Sequence, residues 1–255
     1  MRSFIASIKI FFLIFYTLSI YLIYLPLYAI LRLTRIPYEP LRNLYMYLWS
    51  VGMCTVLNIR VKTEGNTPQA PFFLVSNHIS YIDIIPLYLN VKCTFVAKKE
   101  VRSWPVLGFM VKTMGVIFVD RSRKRDVTRV NEIMSRSLNK YQGMVLFPEG
   151  TTSNGESLLP FRPSLLDFPA TKNIPVYYCT IHYKTAEEKG DPPAEKSVCF
   201  YGARDPFHTH VFKLAKNHRI DCEIRFCDTP IQSSDRKELA QELRAGMQRI
   251  FKPTS

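Results

Sequence analysis

His78 and Asp83 form an H-x4-D pair just beyond an apolar run, Phe72 to Ser76, that reads as a buried strand. At that spacing a turn, or the first turn of a helix, brings the carboxylate against one imidazole nitrogen. Such a contact fixes the tautomer and leaves the other nitrogen as a general base. No Ser lies in a Gly-x-Ser-x-Gly elbow to act as nucleophile, so the attacking group would be a substrate hydroxyl. The same residues have a plainer reading, a hydrogen-bonded histidine beside an aspartate that caps a helix. Spacing alone does not choose between the two.

Three further segments follow in order: Gly115-Val116-Ile117-Phe118-Val119-Asp120-Arg121, Phe147-Pro148-Glu149-Gly150-Thr151-Thr152-Ser153 and Ile174-Pro175-Val176. Arg121, at the expected end of a strand, carries a planar fork suited to a phosphate or carboxylate. Its alternative is membership of a solvated basic cluster with Arg123, Lys124 and Arg125. Glu149 is either a ligand-binding carboxylate or a loop cap, and Gly150 permits close backbone approach. With Asn77 to Asp83, these segments resemble the four motif blocks of the 1-acyl-glycerol-3-phosphate (lysophospholipid) acyltransferase family, over roughly residues 58 to 200.

The resemblance implies a layered α/β catalytic domain around a central sheet. It makes His78 the base and Asp83 the group that orients it. Arg121, Glu149, Gly150 and Thr151 fall on the acceptor side, and Pro175 shapes the wall of the site. The donor it implies is acyl-CoA or acyl-carrier protein, with no metal or redox cofactor, and the acceptor a lyso-lipid, first 1-acyl-glycerol-3-phosphate, giving phosphatidate. Two departures from the pattern stand out. Many lysophosphatidate enzymes have Arg where this chain has Thr152, and Gly-Ala where it has Ser164-Leu165. The block from Phe147 to Gly155, followed by Leu159-Pro160-Phe161-Arg162, also resembles branches acting on lyso-ornithine lipid or on lysophospholipids with a head group. A thioesterase is a rival enzyme, disfavoured by the acceptor block, and a silent lipid-binding scaffold is a rival of another class.

Composition favours a membrane partner. Lys and Arg total 34 against 21 Asp and Glu, a formal charge of +13, which draws a protein to anionic surfaces. Ile10 to Leu31 carries no charge and exceeds the ~20 residues that cross a bilayer. No nucleic-acid recognition motif is evident. A cleaved signal peptide has a shorter apolar region, and no small-x-small site follows this one. Leu41 to Leu57 is a second apolar stretch, with Tyr45, Tyr47 and Trp49, so residues 1–57 read as a membrane-seated helical pair and 58–255 as the catalytic domain. The alternative is a first helix that spans and a second that packs on the domain. Flanking basic residues and cytosolic thioesters place that domain on the cytosolic side.

The six cysteines include no C-x2-C pair and suggest neither zinc nor a disulfide framework. His208 and His210 lack the companions of a metal site. Along the remainder, Ile59 to Lys62, Thr94 to Ala97, Val116 to Val119, Met144 to Phe147, Val176 to Tyr183, Val198 to Tyr201 and Ile220 to Cys227 read as strands. Helices are expected over Ile82 to Leu89, Val106 to Met114, Asp126 to Tyr141, Pro206 to Asn217 and Ser234 to Phe251, with a break or kink at Pro26 in the first apolar helix. Alternating strands and helices place functional residues on loops at strand ends.

Overall fold

The computed structural model describes residues 1–103, 107–119, 126–202 and 205–254. Two long helices come first, α1 (Arg2–Leu33) and α2 (Glu39–Leu57). They approach closely: at Gly52 any Cβ would strike the Tyr16 ring, and the Tyr16 hydroxyl donates to the Leu48 carbonyl at 2.6 Å. α1 runs unbroken through Pro26. The proline ring sits on the exposed side and removes one hydrogen bond from a 32-residue helix, too little to end it. Asn58, in the left-handed conformation at φ 54°, closes α2 and turns the chain into the sheet.

The sheet and its connections then follow as β1 (Ile59–Glu64), β2 (Phe73–Ser76), α3 (Ile84–Asn90), β3 (Cys93–Lys98), α4 (Leu107–Thr113) and β4 (Ile117–Val119). Next come α5 (Asp126–Ser137), β5 (Gly143–Leu146), α6 (Asp167–Thr171), β6 (Val176–Thr185) and α7 (Ala194–Ser197), and finally α8 (Phe207–Ala215), β7 (Ile220–Phe226) and α9 (Arg236–Ile250). Among the described residues these strands form one seven-stranded sheet in the order β1-β7-β6-β2-β5-β3-β4. Only β6 and β7 pair antiparallel.

β2 and β5 are buried along their whole length, as central parallel strands covered on both faces must be. Leu74, Val145 and Cys179 turn to one face, where α1 to α4 and α8 pack. Phe73, Val75, Met144 and Leu146 turn to the other, under α5, α6 and α9. The layered α/β fold expected from the sequence is the one observed.

Two expected elements differ. Val198 to Tyr201 forms no strand: the Val198 amide bonds the Ala194 carbonyl at 2.8 Å and the Phe200 amide the Ile79 carbonyl at 3.0 Å, so the run is an irregular link, buried at Val198 and Cys199 and half-buried at Phe200 and Tyr201. The helix expected to reach Tyr141 stops at Ser137. Asn139 takes the Tyr141 amide on its side-chain oxygen at 2.9 Å, a local turn that outcompetes further helix and lets Gly143 open β5.

Among the described residues α1 is the one helix long and apolar enough to cross a membrane, with a mean hydropathy of 2.1 in its most apolar window. Phe4, Phe11, Phe15, Leu18, Leu22 and Leu33 stand exposed on it. Its other side is tied to the body of the protein. The Arg2 guanidinium donates to the Lys189 and Gly190 carbonyls at 2.7 Å, and Lys9 to the Asn217 carbonyl at 2.8 Å. Tyr21 and Tyr24 reach the Thr113 hydroxyl and carbonyl at 2.9 and 3.0 Å. The cysteines are free thiols, buried except for the half-buried Cys54.

Candidate active site

The site forms where the central strands end together. Val75 is in register with Leu146 of β5 and Tyr178 of β6, so the chain beyond β2 and the chain beyond β5 emerge on the same rim. β6 continues past that rim, and Asn77 uses it. The Asn77 amide donates to the Ile181 carbonyl at 2.9 Å and accepts the Ile181 N–H at 2.7 Å. A side chain thereby carries the ladder one rung further while the backbone turns away to present His78.

His78 Nδ1 lies 2.8 Å from Asp83 Oδ2. The same oxygen accepts the N–H groups of Ile79 at 2.7 Å and Ser80 at 3.0 Å. An oxygen that takes two backbone donors is acting as a carboxylate, so Nδ1 carries the third hydrogen, and in the neutral imidazole the lone pair is then on Nε2. Asp83 is fully buried, whereas the His78 side chain keeps 21% of its surface exposed. The imidazole is also held face on: it stacks on Phe147 with centroids 3.9 Å apart and planes at 11°. Phe147 in turn stacks on Phe95. Tautomer, azimuth and plane are therefore all set before any substrate arrives.

Phe147 opens the loop that carries Glu149, Gly150 and Thr151. The Ser153 amide bonds the His78 carbonyl at 2.9 Å, which fastens this loop to the histidine turn. Gly150 is buried at φ 73°, a conformation that favours glycine. Glu149 is 2% exposed, and neither carboxyl oxygen has a hydrogen-bond partner. Burial pushes its carboxyl up to about 8; the neighbouring backbone amides of His78 and Leu159 offset this in part without reaching bonding geometry, and the Asp83 charge adds to it. Glu149 therefore holds a proton at neutral pH and is a potential donor as well as an acceptor. Thr151 is exposed at the tip of the loop.

His78, Asp83, Glu149 and Gly150 thus come together as the sequence places them, and Arg121 lies outside the described residues. Pro175 does not line this site. It precedes Val176, the partner of Phe73 at the start of β2, and is exposed on the opposite rim.

Other residues at the site gave little signal in sequence. The Tyr81 hydroxyl meets His210 Nδ1 at 3.1 Å, and His210 Nε2 meets the Cys199 carbonyl at 3.0 Å. His210 thus spends both nitrogens within the protein, and its ring packs with Tyr81 and Phe200 beside the His78 turn. Buried Asp83 Oδ1 and the Tyr183 hydroxyl each lack a partner, and burial followed by the Asp83 charge raises the Tyr183 phenol. Tyr81 stands inside the H-x4-D block; Tyr183, Phe200 and His210 stand far along the chain, where only tertiary structure reveals them.

An oriented imidazole on the rim of an α/β sheet, followed by these motif blocks, defines an enzyme of the O-acyltransferase class. The chain belongs to the 1-acyl-glycerol-3-phosphate (lysophospholipid) acyltransferase family, and the acyltransferase family model matches residues 58–182. It is 32% identical over 212 residues to the lyso-ornithine lipid O-acyltransferase of Pseudomonas aeruginosa, covering 83% of this chain and 80% of that protein. To the 1-acyl-sn-glycerol-3-phosphate acyltransferase of Neisseria gonorrhoeae it is 26% identical, over 82% of this chain and 81% of the other. The crystal structure of the 1-acyl-sn-glycerophosphate (LPA) acyltransferase of Thermotoga maritima shares the fold at a TM-score of 0.66 and 18% identity, covering 98% of both chains.

Proposed function

We propose that this enzyme esterifies the free hydroxyl of a lyso-lipid with a fatty acyl group taken from acyl-CoA or acyl-carrier protein, at a membrane surface and on its cytosolic side. The observation that carries the reading is the 2.8 Å contact between His78 Nδ1 and Asp83 Oδ2, which leaves Nε2 free. Nε2 takes the hydroxyl proton as the oxygen attacks the thioester carbonyl. The tetrahedral intermediate collapses, the C–S bond breaks, and the thiolate takes the proton back from the imidazolium held by Asp83. Thioesters are already activated, so the reading needs no acyl-enzyme and no metal or redox cofactor. Arg121 is assigned to the anionic group of the acceptor, and Glu149, Gly150 and Thr151 to its polar backbone.

For the acceptor, Thr152 in place of Arg weakens a bare phosphomonoester site. Together with the higher identity to lyso-ornithine lipid O-acyltransferases, it favours lyso-ornithine lipid. Lysophosphatidate is the second reading, favoured by the Arg at position 121 and by the 1-acyl-sn-glycerol-3-phosphate relatives.

The test is an acceptor panel with purified protein and labelled acyl thioester: lyso-ornithine lipid, lysophosphatidate, lysophosphatidylethanolamine and water alone. Transfer to a lyso-lipid is expected, and hydrolysis without transfer would make the protein a thioesterase. His78→Ala is expected to lose on the order of 10²–10⁴-fold in turnover while remaining folded by circular dichroism. Full activity in that variant would remove the base. Arg121→Ala should lower kcat/KM for the acceptor by about 1.5–3 kcal/mol and leave the donor's KM in place; the reverse pattern would move Arg121 to the donor.

A further inference from the structure

Where α1 gives way to α2, the connection and the turn before β5 enclose an open cavity of about 520 Å³. Arg32, Arg35 and Lys140 line it with Tyr38, Tyr141 and a single acid, Glu39. Arg32 lies 5.8 Å from the Tyr38 ring centre and Lys140 5.0 Å from that of Tyr141, and none of the three cations is in an ion pair with a described residue. Glu39 is engaged by the Asn139 amide at 3.3 Å.

A fourth positive charge stands behind the wall. Arg42 is fully buried, donates to the Met114 carbonyl and to Asn43 Oδ1, forms no ion pair among the described residues, and leaves Nε without a partner. It and the Tyr38 hydroxyl converge on Gly115, whose absent Cβ would sit 3.5 Å from Arg42 Nη1 and 2.9 Å from Tyr38 Oη. A charge so far from water keeps its field across the cavity.

The cavity is not the catalytic site. Tyr141 leads into β5 and Phe147 leaves its far end, a separation of roughly 20 Å at ~3.3 Å per residue. At its mouth the apolar face of α1 is still exposed, through Ile30 and Leu33, and Ile36 continues it. Phosphate chemistry fits the guanidinium forks and the charge; an apolar surface running to the mouth fits acyl chains.

We propose that this cavity binds the phosphate head group of an anionic bilayer phospholipid, with the chains of that lipid lying along the exposed face of α1. It is a lipid site separate from the acceptor site, and it holds whichever acceptor the enzyme uses.

The experiment is flotation of the full-length protein with phosphatidylcholine vesicles, with and without phosphatidylglycerol. It compares wild type, Arg32→Ala/Arg35→Ala/Lys140→Ala, and a control of equal charge loss, Lys172→Ala/Lys237→Ala/Arg249→Ala, whose exposed positions lie under the opposite face of the sheet. The wild type should prefer phosphatidylglycerol vesicles. The cavity variant should lose that preference by roughly 10- to 100-fold, and the control by about threefold or less. Binding to plain phosphatidylcholine should be equal in all three. Equal losses in the two variants, or no preference in the wild type, would overturn the site. A parallel arm titrates inorganic phosphate and glycerol 3-phosphate: if either binds the cavity in the absence of vesicles and abolishes the preference at low millimolar concentration, the ligand is a soluble phosphate and the lipid assignment fails.

Discussion

Glu149 is the residue at which the site's chemistry and the protein's stability meet. Its carboxyl is lifted by burial from the ordinary value of 4.5 to about 8, so between those values the folded protein holds a proton that the unfolded chain releases. Stability contributed by the neutral carboxyl is complete below about 4.5 and is lost as pH rises towards 8. Glu149→Gln keeps the shape and the neutrality without the titration. Melting temperature should therefore fall more steeply between pH 5 and 8 in the wild type than in Glu149→Gln, as scanning calorimetry across that range would record; parallel curves would mean that Glu149 is ionised in the fold. Phe147 acts on His78 through packing alone. Phe147→Leu retains an apolar side chain and loses the stacked plane, an interaction of ~0.5–1.5 kcal/mol, so kcat should drop by a few-fold to tenfold with donor and acceptor KM little changed.

The element that makes the site is the exit of β2, and its strength lies in one amide. Asn77 satisfies both backbone groups of Ile181, and Asn77→Leu would leave that buried N–H and C=O unpaired at a cost of about 2–5 kcal/mol, read as a lowered denaturation midpoint with unchanged slope. A midpoint within error of wild type would show that the ladder closes without the side chain. The parts of this site that are local in sequence were legible there. His78 and Asp83 meet across one turn, the block from Phe147 follows its strand directly, and the apolar runs of β2 and β5 are too continuous for anything but buried strands. What depends on distant partners was not. Val198 to Tyr201 has the composition of a strand but finds Ile79 instead of a sheet edge, and Leu138 and Tyr141 keep helical spacing beyond Ser137, where the turn at Asn139 replaces the helix. Pro175 matches a motif block in order along the chain, yet a parallel strand puts its first residue at the rim opposite its last, so sequence order placed it at the wrong end of β6.

At the scale of the whole molecule the position of α1 decides how the enzyme meets lipid. Length and composition permit this helix to cross a bilayer, but it is fastened to the body of the protein from Arg2 to Tyr24. Arg2 bonds the chain at Lys189 and Gly190, Lys9 bonds Asn217, and Tyr21 and Tyr24 bond Thr113. At ~1.5 Å per residue the contacts from Arg2 to Tyr24 extend over about 33 Å, which equals the hydrocarbon thickness of a membrane. A spanning α1 would drag the charged loops at 189–190 and 217 through the bilayer core, at several kcal/mol for each unpaired charge or backbone group left there. With α1 lying along the membrane surface, Phe4, Phe11, Phe15 and Leu22 are buried among acyl chains and the opposite face keeps its hydrogen bonds. Single cysteines introduced at Ser3 and at Thr34, both exposed and at opposite ends of α1, should then react with an impermeant maleimide from the same side of sealed vesicles, with equal protection in vesicles of the opposite orientation. Labelling of the two positions from opposite sides would establish a spanning helix and would require the Arg2 and Lys9 contacts to open on insertion.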